Sequence, residues 1–182
     1  TVDGKNYGVP FDNGAVIGAY RTDILEQAGY TTADLTDIDW NRFIEIGKDV
    51  KAKTGTYMLS GQADSPDTIM MMLQSAGASL FDEDGKPAMT DNAALKECID
   101  IYKTMVDEGI YLEVNKWDDY VTSITKGSVA GVINGNWIIA TIQGMEDTAG
   151  KWEITNMPKL IKTPNATNYS NNGGSSWYIT SN

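Results

Sequence analysis

The residues with the clearest chemical potential form the tetrapeptide Asn134-Gly135-Asn136-Trp137. A carboxamide both donates and accepts hydrogen bonds, and an indole offers a flat apolar face. This combination suits a neutral polyhydroxylated ligand such as a sugar. The C–H face of a sugar stacks on the ring, and each net hydrogen bond to its hydroxyls contributes roughly 1 kcal/mol. The periodicity leaves a second interpretation open, in which Trp137 anchors the following helix in the core.

A similar set of residues occurs near the C-terminus, where a double glycine precedes aromatic side chains. Gly174, Ser175 and Trp177 lie within a predicted glycine-led strand over 173–179. Glycine in a strand allows another group to approach the backbone closely. Trp177 and Tyr178, after the double glycine, therefore offer a second aromatic surface for a ligand.

Four polar residues follow predicted strands. Asp12 and Asn13 come directly after a short apolar strand over 7–11, and Gln62 and Asp64 lie in the loop after another strand. Open α/β sheets bind ligands at the carboxyl ends of their strands. Asp12 and Asn13 are interpreted either as turn formers or as polar groups aimed at a ligand. Gln62 and Asp64 are candidates on position alone.

Composition narrows the chemistry further. The chain has no histidine and one cysteine, Cys98. These counts exclude Ser-His-Asp and Cys-His catalysis, His-liganded zinc and an internal disulfide. The net charge of -11 argues against nucleic-acid binding, because phosphate contacts need clustered Lys and Arg. A hydrolase would need a carboxylate pair facing a pocket, and the spacing of the acidic residues selects no pair.

Hydrophobic periodicity places these residues on an α/β framework without internal repeats. Apolar stripes at helical spacing predict five helices, and short apolar runs bounded by turn residues predict the strands. Trp40 and Cys98 fall on apolar stripes and are predicted to be core residues. The predicted helices cover 40–53, 65–76, 92–108, 117–126 and 138–143, in addition to a short one over 21–28. The predicted strands cover 7–11, 15–20, 56–60, 128–133, 152–157 and 173–179.

The order of these pieces resembles the extracellular solute-binding proteins of sugar-importing ABC transporters, of the maltose-binding type. The resemblance spans essentially the whole chain, and its specificity comes from the order and spacing of several short motifs. The motifs that carry it include DGKNYGVPFDNG, AYRTDILEQAG, SAGASLFDEDGKP, WDDYVTSITKGSVAGVINGNW and GGSSWYIT.

The resemblance implies an α/β fold of the periplasmic-binding-protein type, with a mixed sheet flanked by helices. Residues 1–182 would form one lobe of a longer two-lobed protein, with crossing or hinge segments near 7–12 and 173–179. Such a protein captures a sugar or oligosaccharide by lobe closure and delivers it to a membrane permease. It is not an enzyme, and it needs no cofactor or metal. We expect a bacterial extracellular monomer, either a cell-surface lipoprotein or a periplasmic protein.

The resemblance also assigns roles to the candidate residues. Trp137 looks like the sugar-stacking aromatic of the family. Asp12 and Asn13 match a position where the family places polar sugar contacts, and Gln62 and Asp64 match a loop that often contributes contacts. Gly174, Ser175 and Trp177 lie where the chain returns past the cleft. Two alternatives remain: a carbohydrate-active hydrolase, and the same fold binding a polyamine, a peptide or an anion. The predicted ligand-binding residues are Trp137, Asp12, Asn13, Asn136, Gln62, Asp64, Gly174, Ser175 and Trp177.

Overall fold

The structure is a computed structural model that describes residues 3–180. Within this range no helix combines the length and apolar character needed to cross a membrane. The α-helices are α1 (Thr22–Ala28), α2 (Trp40–Thr54), α3 (Asp67–Ser75), α4 (Ala93–Asp107), α5 (Trp117–Thr125) and α6 (Ile139–Gln143). The strands are β1 (Val9–Arg21), β2 (Leu59–Gln62), β3 (Tyr111–Val114), β4 (Gly131–Gly135), β5 (Trp152–Thr155) and β6 (Asn171–Trp177).

The long strand β1 organises the sheet. Its C-terminal half pairs antiparallel with β4 on one side and β5 on the other, and its N-terminal half pairs antiparallel with β6. Strands β2 and β3 form a parallel pair. Backbone hydrogen bonds from Tyr57 to Ser128 and from Gly131 to Met58 connect this pair to the β4 side. The predicted α/β fold with a mixed sheet flanked by helices is confirmed.

The two faces of the sheet bury separate apolar clusters, because neighbouring strand residues point to opposite faces. Tyr20 packs with the inner faces of α2, α3 and α4, whereas Ala19 packs with residues of α5 and with Ile138. Trp40 and Cys98 are fully buried in the first cluster, as predicted. Burial raises the pKa of the Cys98 thiol to about 12, so this side chain is an unreactive core residue.

Several strand boundaries differ from the sequence prediction, including those of β6, which begins and ends two residues earlier than predicted. The segments 7–11 and 15–20 were predicted as separate strands, but β1 runs without a break from Val9 to Arg21. Strands β2 and β4 begin and end two to three residues later than predicted. The sequence analysis also missed β3. Each difference depends on a partner strand that is distant in the chain, which local propensity does not record.

A close backbone approach fixes the pairing of β1 with β6. A Cβ atom on Gly14 would lie 2.2 Å from the carbonyl oxygen of Asn172. The register also shifts between Asn13 and Ala15, which is where this contact occurs. Only a residue without a side chain fits between the two strands at this point.

We expect Gly14→Ala to destabilise the protein by about 2 kcal/mol, because the new methyl group meets rigid backbone and the two strands must separate. Urea unfolding of both proteins measures this difference. Gly144→Ala is the matched control, since its Cβ would lie 3.5 Å from the nearest atom. The control should change the free energy of unfolding by less than about 0.5 kcal/mol. Equal stability of the two variants would contradict the close approach.

Glu97 attaches the segment after β5 to helix α4. Its carboxylate is almost fully buried and accepts hydrogen bonds of 2.8 Å from the backbone N–H groups of Ile161 and Lys162 and from the Thr163 hydroxyl. Burial alone would raise the pKa of this carboxyl group. The three hydrogen bonds outweigh burial and hold the pKa of Glu97 below its usual value of 4.5.

A lowered folded-state pKa means that Glu97 stabilises the protein above pH 4.5, and that this contribution is lost as the pH falls through the folded-state pKa. Glu97→Gln should therefore destabilise the protein at pH 7, because it removes charge-assisted hydrogen bonds worth about 1.5–3 kcal/mol each. The difference between the two proteins should shrink on acidification. Urea midpoints at pH 7 and pH 3.5 test this, and a difference independent of pH would contradict it.

Candidate functional site

The indole of Trp137 lies on the surface at the end of β4. The strand ends at Gly135, a single 3₁₀ turn covers Asn136–Ile138, and α6 follows. Ile138 is the residue of this turn that is fully buried, whereas the Trp137 side chain is 41% exposed. Its Nε1–H donates a hydrogen bond of 2.9 Å to the carbonyl oxygen of Asn172. The interpretation of Trp137 as a core anchor is therefore wrong.

A second indole lies beside the first. Trp117, the first residue of α5, is 45% exposed, and its ring centroid lies 5.8 Å from that of Trp137 with an angle of 43° between the planes. Its other neighbour is Tyr120, at 5.3 Å. Trp117 was predicted to begin a helix, and its position beside Trp137 was not predicted. The sequence signal that could have identified it is a tryptophan at the first position of a helix, where the buried apolar face of the helix does not need a large side chain.

Asn134 connects residues that neighbour the two indoles. It is buried, its Nδ2 donates to the Tyr120 hydroxyl at 3.0 Å, and its Oδ1 accepts from Asn172 Nδ2 at 2.8 Å. The same Oδ1 also accepts from the Gly135 N–H at 2.8 Å. Buried amides need such partners. Asn134 thus has partners within the protein and also belongs to the lining of the polar pocket described next, whereas Asn136 is half-buried.

A small polar pocket opens beside Trp117. It has a volume of about 30 Å³ and lies between the end of β2, the start of α3, and α5. Burial raises the pKa of the Tyr111 hydroxyl to about 12 and also raises that of Tyr120, so both hydroxyls stay neutral at ordinary pH. The polar side chains that line the pocket include Gln62, Ser65, Asp67, Thr68, Tyr111 and Tyr120.

The other predicted contacts lie on the two-stranded ribbon formed by β1 and β6. Asp12 pairs with Ser175, and Asn13 pairs with Gly174. The Asp12 carboxylate accepts a hydrogen bond of 2.5 Å from the Ser175 N–H. The indole of Trp177 packs edge to face on Phe11, with ring centroids 5.5 Å apart.

The structure thus brings the predicted residues together in two groups. Trp137 adjoins Trp117, Asn136 precedes Trp137 in the chain, and Gln62 shares the polar pocket with Trp117. The ribbon of β1 and β6 approaches the indole of Trp137 at Gly173, where a Cβ would lie 3.3 Å from Trp137 Nε1. Asp64 is exposed and does not line the pocket.

Geometrically, the first group offers two aromatic faces, the half-buried carboxamide of Asn136 and a polar cavity. We call Trp117 and Trp137 the indole pair. Such a surface can stack the apolar faces of two consecutive rings and bond their hydroxyls. Among residues 3–180, no group of three His, Cys, Asp or Glu side chains is placed to hold a metal ion.

Comparison with known proteins gives consistent results. The lactose-binding protein of Rhizobium radiobacter is 45% identical over 179 residues, which is 98% of this chain and 42% of that protein. An ABC-transporter-associated binding protein of B. animalis subsp. lactis, solved in complex with β-1,6-galactobiose, is 25% identical with a TM-score of 0.78. That match covers 97% of this chain and 44% of the other.

The GacH receptor of Streptomyces glaucescens has the same fold, with a TM-score of 0.80 at 22% identity over 100% of this chain and 46% of the other. The chain therefore spans less than half the length of each of these three proteins. The sequence pattern of the bacterial extracellular solute-binding protein family matches residues 1–182. With its whole length matched and its fold shared, the chain belongs to the bacterial extracellular solute-binding protein family.

Proposed function

We propose that this chain is one lobe of a two-lobed receptor that captures a neutral sugar or oligosaccharide for import by an ABC transporter. The single observation that carries the proposal is the indole pair, two exposed aromatic side chains in contact with each other beside a polar pocket. Leaving two large aromatic side chains in contact with water is unfavourable, because their apolar surface stays exposed. A ligand that stacks on them covers this surface. A sugar ring supplies both an apolar face and hydroxyl groups.

The relatives support a sugar as ligand. One is named a lactose-binding protein, and another was solved with β-1,6-galactobiose. Both named ligands are neutral disaccharides that contain galactose, which makes such disaccharides the first compounds to test. The pocket also disfavours an anion, because its lining includes Asp67 and contains no Lys or Arg.

The ribbon of β1 and β6 supports the two-lobed arrangement. Six apolar side chains in this ribbon and in the residues next to it are between 64% and 98% exposed, and apolar exposure of this extent marks a surface that another element covers. We propose that the ribbon crosses to a second lobe near 7–12 and 173–179, and that closure occurs about it. The six side chains are Tyr7, Val9, Phe11, Trp177, Tyr178 and Ile179.

The same considerations favour a receptor over a hydrolase. Family members are binding proteins, and the pocket carboxylate Asp67 stands alone among the lining residues, whereas glycoside hydrolysis uses two facing carboxyl groups. We propose that the protein acts as a monomer outside the cytoplasmic membrane, as a surface lipoprotein or in a periplasm, and passes its ligand to a permease.

In the full-length receptor, we expect Trp137→Ala to weaken binding of the tightest sugar by about 2 kcal/mol, roughly thirtyfold, because a central aromatic contact is lost. Isothermal titration calorimetry against lactose, galactobiose, other disaccharides, putrescine and spermidine measures both affinity and ligand class. Phe81→Ala is the matched control, since Phe81 is also an exposed aromatic residue. The control should leave the affinity unchanged.

Binding of a polyamine with no sugar bound would contradict the proposal, as would release of chromophore from nitrophenyl glycosides. An unchanged sugar affinity in a folded Trp137→Ala variant would remove Trp137 from the site.

Residues 1–182 alone should bind the same sugar roughly a hundredfold more weakly than the full-length receptor, or worse, because the contacts from the second lobe are missing. Titration of the two proteins side by side, with circular dichroism to confirm that the isolated lobe is folded, provides the comparison. Equal affinity would contradict the two-lobed proposal.

A further inference from the structure

The polar pocket beside Trp117 is too small for a sugar ring, which raises the question of what it accepts. We propose that it receives the hydroxymethyl group of a hexose stacked on the indole pair, and that Asp67 makes it reject a carboxylate at that position. This assignment rests on the proposed function and specifies the class of sugar, namely neutral hexoses rather than pentoses or uronic acids.

The size of the pocket supports this assignment. Its volume of about 30 Å³ is room for about two water molecules, since one water needs roughly 10–15 Å³ by the same measure. A hydroxymethyl group has two heavy atoms, a carbon and an oxygen. In a neutral hexopyranose the other hydroxyl oxygens are bonded directly to ring carbons, whereas the hydroxymethyl oxygen is attached through one exocyclic carbon. The hydroxymethyl group therefore reaches deeper than a ring hydroxyl.

The position of the pocket is also suitable. Trp117 forms one wall of the pocket, and the indole of Trp137, which does not line the pocket, has its ring centroid 5.8 Å from that of Trp117. A ring stacked on Trp117 therefore has its rim next to the opening. The group that enters must project from that rim, and the substituent at C5 does so.

The lining provides partners for a hydroxyl group. Thr68 Oγ1 and the Tyr111 hydroxyl lie 2.8 Å apart and share one hydrogen bond, which leaves lone pairs that can accept another. A Cβ atom on Gly61 would lie 1.8 Å from the Tyr111 hydroxyl oxygen. Glycine at this position therefore allows the tyrosine to reach the pocket, and the side chains of Gln62 and Asp67 complete the polar lining.

Charge distinguishes the possible occupants. Asp67 is the one ionisable carboxylate among the lining residues, and none of them is Lys or Arg. The carboxylate of Asp67, a solvent-exposed residue, can accept a hydrogen bond from a neutral hydroxymethyl group, and such charge-assisted bonds are stronger than neutral ones. A sugar carboxylate in the same place would face a like charge without a cation to offset it.

The test uses the full-length receptor and lactose, or whichever neutral disaccharide of the panel binds more tightly. Calorimetry compares it with analogues in which each hydroxymethyl group in turn is replaced by hydrogen, as in a pentose, or by a carboxylate. At one of the two rings, we expect the hydrogen analogue to bind about tenfold more weakly and the carboxylate analogue about a hundredfold more weakly. The other ring should be less sensitive.

Asp67→Asn should reduce the penalty for the carboxylate analogue at that ring by about tenfold. Asp118→Asn is the matched control, because Asp118 also lies in the first turn of a helix but does not line the pocket. It should leave the ratio of affinities unchanged. Melting temperatures of the unliganded variants confirm that both are folded.

The pocket assignment and the proposed receptor function are overturned by different results. If the disaccharide binds but neither ring discriminates, or if the two Asp→Asn variants behave alike, the pocket assignment is overturned and the receptor proposal stands. If no sugar binds to the full-length protein, the proposed function is overturned and the pocket assignment with it.

Discussion

The carbonyl oxygen of Asn172 is the point on which the site depends. It accepts the hydrogen bond from Trp137 Nε1, and it occupies space that Gly14 and Gly135 leave open, since a Cβ on either would lie 2.2–2.3 Å from it. One backbone group thereby ties β1, β4 and β6 to the orientation of an indole. A side chain on either glycine would displace β6 and remove the acceptor that holds Trp137.

Much of the fold could be predicted from the sequence because its helices are amphipathic over several turns. Helix α2 was predicted to within one residue, since Asp39 caps it by accepting from the Arg42 N–H and Gly55 ends it in a left-handed conformation. These signals are local and recur reliably. The strands were harder, because β3 is four residues long and owes its existence to its parallel partner β2, which lies about fifty residues earlier in the chain.

The site was predictable only where a local sequence signal identified a residue. The tetrapeptide 134–137 identified Trp137 by residue type, but the distance of 5.8 Å to Trp117 depends on how α5 packs against the end of β4. Asn134 and Asn136 were equivalent in sequence, and only the structure separates the buried amide from the half-buried one. Asp67 was not among the predicted residues, because nothing in the first turn of a helix distinguishes a carboxylate that lines a cavity from one that favours the helix dipole.

The irregular pairing of β1 with β6 has a mechanical consequence. The register shifts between Pro10 and Asp12 and again between Asn13 and Ala15, and each shift interrupts the ladder of hydrogen bonds that stiffens a two-stranded ribbon. Further along, where β1 pairs with β4 and β5, the ladder is continuous. We expect the ribbon to bend most easily over roughly the six residues from Pro10 to Ala15 that contain these shifts. A torque applied beyond them would then turn the ribbon against the sheet at this point.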